Sequence, residues 1–362
     1  SAFLLNRSSD LNPLSLGQVS FGILHELFER NIQPNIFPIG QIDLSAFDYS
    51  REFQTWLTSC INSSLKNLTK AKTSLKIWHL NGSWNVVQAQ RHVLFTAHET
   101  DTLTETEVDI IKSKDTVFFT SDFSVDKSKE LGLTNTRVCH NFFDSRHFHK
   151  KEVPKNGLED VVTFGLFGKM EKRKLTTDIL AAWGNKFANN PKYRLNCCIF
   201  NSFLDPNIQK NTLETVFKGN IPWNINFLPF QGKNSTYNDV LNSIDIDLSG
   251  LSGAEGWNLP AFQSLCLDKV VVFMDAHGHK TYINDAECIK IKPVNTVPIY
   301  DNIFFVKGQP FNQGNMSTFS QDSFNEAVDK ALTMVGTLNG NGEKISKKFS
   351  VQNTVDTLLS SL

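Results

Sequence analysis

The chain has 362 residues, 40% hydrophobic and 20% charged, with a formal net charge of −1. That length is too great for one ordinary core and suits two domains, and the composition excludes intrinsic disorder. The charge excludes a strong overall field for nucleic acid or anionic lipid, though not a local basic groove. No apolar run approaches membrane-spanning length and no signal peptide is visible, so the expected location is cytoplasmic. The six cysteines form no CxxC pair and read as reduced thiols.

Taken in chain order, "AFLLN" reads as a short buried strand. "LGQVSFGILHELFERN" reads as a helix, with Val19, Ile23, Leu27 and Phe28 on one face. "NIFPIG", "LKIWHL", "HVLFTA" and "TVFFTS" are apolar bursts of strand length. A polar stretch, "KKEVPKNGLED", reads as a linker and divides the chain into 1–150 and 151–362. "VVTFGLF" opens a second series. "TTDILAAWGNKF" follows as a helix stopped by "NNP". "YRLNCCIF", "INFLPF", "DIDLSG" and "KVVVFM" are further strands, and "STYNDVLNSI" is a helix with Ser235 as its expected cap. The tail holds two helical runs, 319–335 and 345–362, separated by "GTLNGNGEK". The last is expected to pack back on the first domain. Alternation of this kind predicts an α/β protein: two Rossmann-like domains, each with a mostly parallel sheet, facing each other across a ligand cleft.

The turn "LSGAEGWN" sets Glu255 among small residues between a strand and the helix "LPAFQSLCL". Gly250, Gly253 and Gly256 allow close backbone approach, and the helix start favours an anion such as phosphate. A carboxylate beside phosphate is repelled by it, so Glu255 is expected to accept hydrogen bonds from neutral hydroxyls nearby. A sugar joined to a phosphate supplies both groups. On residue types alone, an acid near a helix start serving only as a cap is the alternative.

"SGLSGAEGWNLPAFQSLCLDKVVVF" resembles the signature of glycosyltransferase family 4, retaining enzymes of the GT-B fold. "FGLFGKMEKRKLTTDILAAW", "TNTRVCHNFFDSRHF" and "SLGQVSFGILHEL" resemble further segments of that family, in the family's order. The resemblance implies a GT-B enzyme that takes a nucleotide-diphosphate sugar as donor, with no cofactor and no metal. It implies that Glu255 holds the donor sugar, that Lys169 and Lys174 hold the diphosphate, and that Gln263 holds the ribose. Gly17, Gly168, Gly253, Gly256, Trp257 and Leu259 would line the donor site, and His277 would lie near the donor sugar. Four positions depart from the family pattern. Gln263 replaces a Glu, Lys169 an Arg, and Leu175 and Asn258 replace glycines.

Other candidates come from the residues themselves. "FTAHET" ends a strand, so His98 and Glu99 are expected to reach the cleft as an acceptor-side base or a donor-sugar ligand, or else to cap the next helix. His79 in "IWHLNG" is a weaker case of the same kind. Asp245 and Asp247 in "DID" look like a metal motif but read as the end of a buried strand. His140, His147 and His149 lack a fourth zinc ligand at good spacing. "KMEKRK" and "KISKK" read as solvated basic faces.

Segments such as "PLSLGQVSFGILHEL", "AHGHK" and "GQPFNQGN" also resemble glycosyltransferases of large tailed bacteriophages. That implies host cytoplasm and raises hydroxymethylated bases of phage DNA as the acceptor, with surface glycan and protein as rivals. Lys66, Lys70, Lys72 and Lys76 are the candidate basic rim for DNA. A nucleotide-sugar-binding protein without transfer activity is the alternative from another class.

Overall fold

The computed structural model describes all residues except 1, 2, 9, 10, 39, 65, 68–71, 86, 88 and 156; for 3–8 it gives the backbone course alone. The first sheet is wholly parallel, in the order β2-β1-β3-β4-β5-β6. Its strands are β1 Phe3–Ser8, β2 Asn35–Phe37, β3 Thr73–Ile77, β4 Arg91–Thr96, β5 Thr116–Phe119 and β6 Thr136–Val138. The second sheet is also parallel, in the order β12-β11-β10-β7-β8-β9. It comprises β7 Val162–Phe167, β8 Tyr193–Cys198, β9 Ile225–Phe227, β10 Ile246–Asp247, β11 Val270–Met274 and β12 Ile289–Ile291. This is the GT-B architecture: two Rossmann-like α/β units facing each other.

The strands are apolar on both faces because helices cover both sides. Each residue of β5 and β11 is buried. Of the helices on the first sheet, α1 (Ser15–Glu29) buries Val19, Ile23, Leu24 and Leu27, while α2 (Arg51–Ser64) buries Phe53, Leu57 and Cys60. α3 (Glu105–Lys112) starts at a reciprocal cap between Thr104 and Glu107, and α4 (Asp122–Glu130) is capped by Ser121. On the second sheet, α5 (Thr176–Phe187) buries Ile179, Leu180, Trp183 and Phe187. The other helices there are α6 (Pro206–Val216), α7 (Asn234–Asn242), α8 (Leu259–Cys266), α9 (Lys280–Ile283) and α10 (Gln321–Met334).

Second-sheet order places β7 beside β10, with Ile246 opposite Phe164 and Asp247 opposite Gly165. The chain runs outward in opposite directions from this pair. A ligand crevice belongs outside the carboxyl ends of such strands, at the switch point.

Several expected elements take another form. α7 begins at Asn234, with Lys233 rather than Ser235 at the cap position and no side-chain cap bond. The first domain supplies partners instead. Asn234 N–H donates to Ala46 C=O (2.9 Å), and its amide pairs reciprocally with Gln18 (2.8 and 2.9 Å). The run 345–362 is two helices, α11 (Asn341–Lys348) and α12 (Val351–Leu359). Ser350 breaks it by accepting from Asn353 N–H (3.3 Å), a cap that competes with helix continuation. α12 lies on α1 and buries Val351, Val355 and Leu358 in the first domain's core, contributing about 2 kcal/mol for each side chain fully buried.

The polar stretch after residue 150 is tied down. Lys151 pairs with Asp239, Lys150 with Asp268, and Lys155 with Asp245 (2.9 Å). A hairpin absent from the sequence reading, β13 (Asn295–Pro298) with β14 (Asn315–Thr318), runs antiparallel beyond β12. Among the described residues no helix is long and apolar enough to cross a membrane.

Candidate functional site

β7 ends at Phe167 and β10 at Asp247, and the turns that leave these neighbouring strands build the site. From β10 the chain makes a 3-10 turn, Ser249–Leu251, and then presents Glu255 before α8. Glu255 is 4% exposed. The Ser252 hydroxyl donates to its Oε1 (3.0 Å), the Lys174 ammonium pairs with the same oxygen, and Arg173 Nη1 lies 3.0 Å from Oε2. Burial pushes this carboxyl up, but Arg173 and Lys174 outweigh it and hold the group well below the usual carboxylate range.

The glycines around Glu255 admit close contact between parts of the chain. A Cβ on Gly253 would fall 2.4 Å from Ser317 O; one on Gly256 would fall 2.9 Å from Ala97 Cβ, in the first domain. Thr120, also of the first domain, donates its hydroxyl to Gly256 C=O (3.2 Å). These two glycines therefore close protein–protein contacts where the sequence reading placed a ligand. Gly250 does the same against Val272 O (2.5 Å), and Gly17, inside the first turn of α1, against Asn12 O (2.1 Å).

From β7 the chain passes Gly168, whose φ of 113° suits glycine, and enters the 3-10 turn Lys172–Lys174. Lys169 turns aside. Its Nζ pairs with Glu171 (3.1 Å) and lies over the rings of Phe203 (4.9 Å) and Phe304 (5.2 Å). Arg173 occupies the centre. Its guanidinium meets Glu255 (3.0 Å), Glu171 (3.1 Å) and Glu99 of the first domain (3.1 Å), and donates to Ala254 C=O (3.0 Å). Arg173 is 8% exposed. "KMEKRK" is thus not a wholly solvated face, and the residue it hid carries more of the cluster than either lysine. Alternation of acid and base in that run was the one available signal.

Glu99, Glu171 and Glu255 balance Lys169, Arg173 and Lys174 in charge. Glu99 itself is shifted upward. Burial is the main cause, and Glu255 and Glu171 add to it against Arg173.

The remaining candidates separate. His98 is 5% exposed, with Nε2 3.2 Å from the Thr100 hydroxyl, inside its own loop. Burial brings it down to about 4. Neither His98 nor Glu99 caps α3, since Thr104 does. His277, at φ 52°, has Nε2 3.2 Å from the Ser317 hydroxyl and is also lowered to about 4, chiefly by burial. His79 keeps an exposed surface; the surrounding protein lowers its imidazole, and Lys169 and Arg173 add to that. The buried imidazoles of His98 and His277 are neutral at pH 7.

Trp257 belongs to a core and not to a ligand surface. It packs on Tyr282 (4.9 Å), Phe262 (5.0 Å) and Phe349 (5.4 Å), and is 3% exposed. Leu259 sits half-buried between two cores, and Gln263 lies one turn further along α8, 7% exposed. The two positions at which the resemblance expects glycine have left-handed backbone, Leu175 at φ 52° and Asn258 at φ 72°.

Asp245 accepts from Lys155 and from Thr163 N–H (2.8 Å). Asp247 is fully buried, accepts from Ser249 N–H (2.6 Å), and is raised to about 6 chiefly by burial. His140 pairs with Asp122 (3.2 Å) and His147 with Asp144 (3.4 Å), while His149 N–H donates to Asn238 (3.2 Å). Among the described residues no group of three or more His, Cys, Asp or Glu stands together as metal ligands. Of the lysines expected to form a basic rim, Lys76 is 2% exposed and donates to Gly82 C=O (2.6 Å) and Asn85 C=O (2.8 Å), so it offers nothing to DNA. Lys66 and Lys72 are exposed, and Lys70 lies outside the described residues.

No family model and no curated protein matches this sequence. The fold is similar to that of solved glycosyltransferases. Sucrose-phosphate synthase from Thermosynechococcus elongatus aligns with a TM-score of 0.69 at 11% identity, over 98% of this chain and 94% of that one. HepE from Anabaena, solved in complex with UDP-glucose, aligns with a TM-score of 0.69 at 13% identity, over 100% of both chains. A UDP-forming trehalose-phosphate synthase from Burkholderia xenovorans aligns with a TM-score of 0.66 at 12% identity, over 99% of this chain and 98% of that one.

Proposed function

We propose that this chain is a retaining glycosyltransferase that moves a sugar from a nucleoside diphosphate sugar to an acceptor hydroxyl without a metal. One observation carries the reading. Lys174 and Arg173 converge on Glu255 at the switch point of the second sheet, with Glu99 of the first domain facing them. Likeness to enzymes solved with UDP or UDP-glucose supports a uridine nucleotide as the first donor to try.

Breaking the sugar–phosphate bond leaves negative charge on the nucleoside diphosphate, and preorganised cations lower that barrier. Lys174 exchanges its carboxylate partner for the phosphate. Lys169, 33% exposed on its side chain, swings in from Glu171 to join it. Arg173 stays and keeps Glu255 ionised when Lys174 moves. Glu255, freed of one cation, accepts hydrogen bonds from hydroxyls of the donor sugar, while Gln263 takes the ribose through its amide. Retention follows when the acceptor enters on the face the phosphate leaves, with the departing phosphate oxygen as the base. The buried neutral His98 and the Arg-paired Glu99 are consistent with that route, since neither stands free as a base.

A second reading has its own support. Gln263 and Asn258 stand where the resemblance expects a carboxylate and a glycine, as suits a protein that binds a nucleotide sugar without transferring it. As acceptor, hydroxymethylated DNA rests on the phage resemblance, and with Lys76 buried a surface glycan is favoured. Incubation with a panel of nucleotide sugars, with hydroxymethylated DNA or glycan acceptors and with excess EDTA, tests all of this. Nucleoside diphosphate release that survives EDTA supports the enzyme. Donor binding without release supports the second reading, and loss of activity restored by magnesium overturns the metal-free one. If DNA is the acceptor, binding weakens steeply with salt. Weak, salt-independent binding with no transfer excludes it.

A further inference from the structure

The hairpin β13–β14 belongs to the second domain, yet its loop grips the first. Thr104 donates to Pro310 C=O (2.6 Å), Asn312 N–H donates to Glu107 (3.1 Å), and Phe311 packs on Trp84 (5.9 Å). A two-bond contact forms at Asp101. Asn315 donates its backbone N–H to Oδ1 (2.8 Å) and its side-chain amide to Oδ2 (3.0 Å). Gly314 makes room. It has φ 119°, and a Cβ there would lie 2.6 Å from Asp101 Oδ1.

The opposite end of β14 touches the acid turn. Ser317 N–H donates to Gly253 C=O (2.8 Å), and Gly253 N–H donates to Arg173 C=O (2.8 Å). Asp101 is two residues beyond Glu99, and Glu255 is two residues beyond Gly253. β14 therefore acts as a spacer. One end registers the loop that carries Glu99, and the other registers the turn that carries Glu255.

We propose that Asp101 is a positioning residue: docked on Asn315, it fixes the separation of Glu99 and Glu255 across the cleft. The acceptor-side loop is then placed by hydrogen bonds to a rigid strand, and the ion pair Glu99–Arg173 forms within that register. A carboxylate with both oxygens occupied by one partner residue defines orientation as well as distance. The chemical role rests on the glycosyl-transfer reading; the structural role does not.

The test compares D101A, D101N and G314A with the wild type. The amide of D101N keeps an acceptor for Asn315 N–H and, after Asn315 flips, a second bond. D101A is expected to lower turnover about tenfold to a hundredfold while UDP affinity by calorimetry stays within about twofold, since the phosphate-binding groups sit on the second sheet. D101N restores most of the turnover, and G314A reproduces the D101A split from the hairpin side. Hydrogen–deuterium exchange over 98–104 rises in D101A and returns in D101N. Wild-type turnover with unchanged exchange in D101A overturns the proposal. So does UDP affinity falling as far as turnover, or D101N as impaired as D101A. If the wild type transfers no sugar, the transfer reading fails and exchange alone decides. A rise confined to 98–104 in D101A supports the latch, and no rise overturns it.

Discussion

The two lips of the cleft are held by opposite means. On the second-sheet side the side chains are ionic, with Glu255 and Glu171 gathered around Arg173, Lys174 and Lys169. On the first-sheet side, Glu99 and Asp101 apart, they are neutral: His98 beside Thr100, and Ser124 donating to His98 C=O (2.9 Å). Glu99 is lent across the gap to Arg173. An ionic lip can exchange a carboxylate for a phosphate with little movement, because the cations are already placed. A neutral lip cannot trade partners in that way, and its precision comes from hydrogen bonds and packing. On the glycosyl-transfer reading, the second-sheet lip is therefore built to swap charges and the first-sheet lip to stay still.

Removing the hub should show this most strongly. Arg173→Met leaves Glu99, Glu171 and Glu255 without their shared cation, and breaking a buried pair costs about 3–5 kcal/mol. Thermal melts should show a large fall in midpoint together with loss of activity. A midpoint near that of the wild type would mean the cluster relaxes into solvent, and the contrast between the lips would dissolve.

Replacing the acid itself is milder for the fold and severe for turnover. Glu255→Gln should lower the initial rate of nucleoside diphosphate release about a hundredfold, the scale of a lost charged contact to the reacting sugar. An unchanged rate removes Glu255 from the site.

The neutral lip has a pH signature. His98 drops from an ordinary 6.5 to about 4 in the folded protein, chiefly through burial. A depressed pKa means the unfolded chain binds the proton more readily. The stability is thus fully present above pH 6.5 and is lost as pH falls toward 4. By pH 5 the loss from this residue should reach about 2 kcal/mol. Chemical denaturation of His98→Gln should give a flatter stability profile over that range; parallel profiles would show that His98 is protonated without cost.

The smallest effect concerns Asn258 on the donor side. Its φ of 72° would suit glycine. However, its amide donates to Ser249 C=O (2.8 Å) and lies 3.1 Å from His279 Nε2. Asn258→Gly should therefore destabilise by about 1 kcal/mol, the net worth of a hydrogen bond, although the backbone prefers it. A stabilised variant would show that left-handed strain outweighs those bonds.

Leu175 holds its left-handed position differently. A left-handed non-glycine residue costs about 1–2 kcal/mol. Leu175, 2% exposed in the second-domain core, offsets that through burial, worth about 2 kcal/mol for such a side chain. Both residues thus hold left-handed turns without glycine, which the sequence could not reveal.

Local pattern was sufficient for the architecture. Apolar bursts of five to eight residues alternating with helical faces specify parallel strands covered on both sides, and these correspond to β1–β5 and β7–β11. Glu255 was legible for the same reason: small residues between a strand and a helix mark a close-packed turn. What tertiary structure alone decided is who occupies the space. Only the assembled sheets show that Gly253 and Gly256 receive Ser317 and Ala97, that Trp257 is core, and that Lys76 is buried. Arg173 and Asp101 were not singled out because Glu99 and Glu255, which pair with the one, and Asn315, which docks on the other, lie at sequence separations that no local periodicity records. A charge in a polar run looks solvated until the fold brings up a second domain to bury it, and once buried it must be paired.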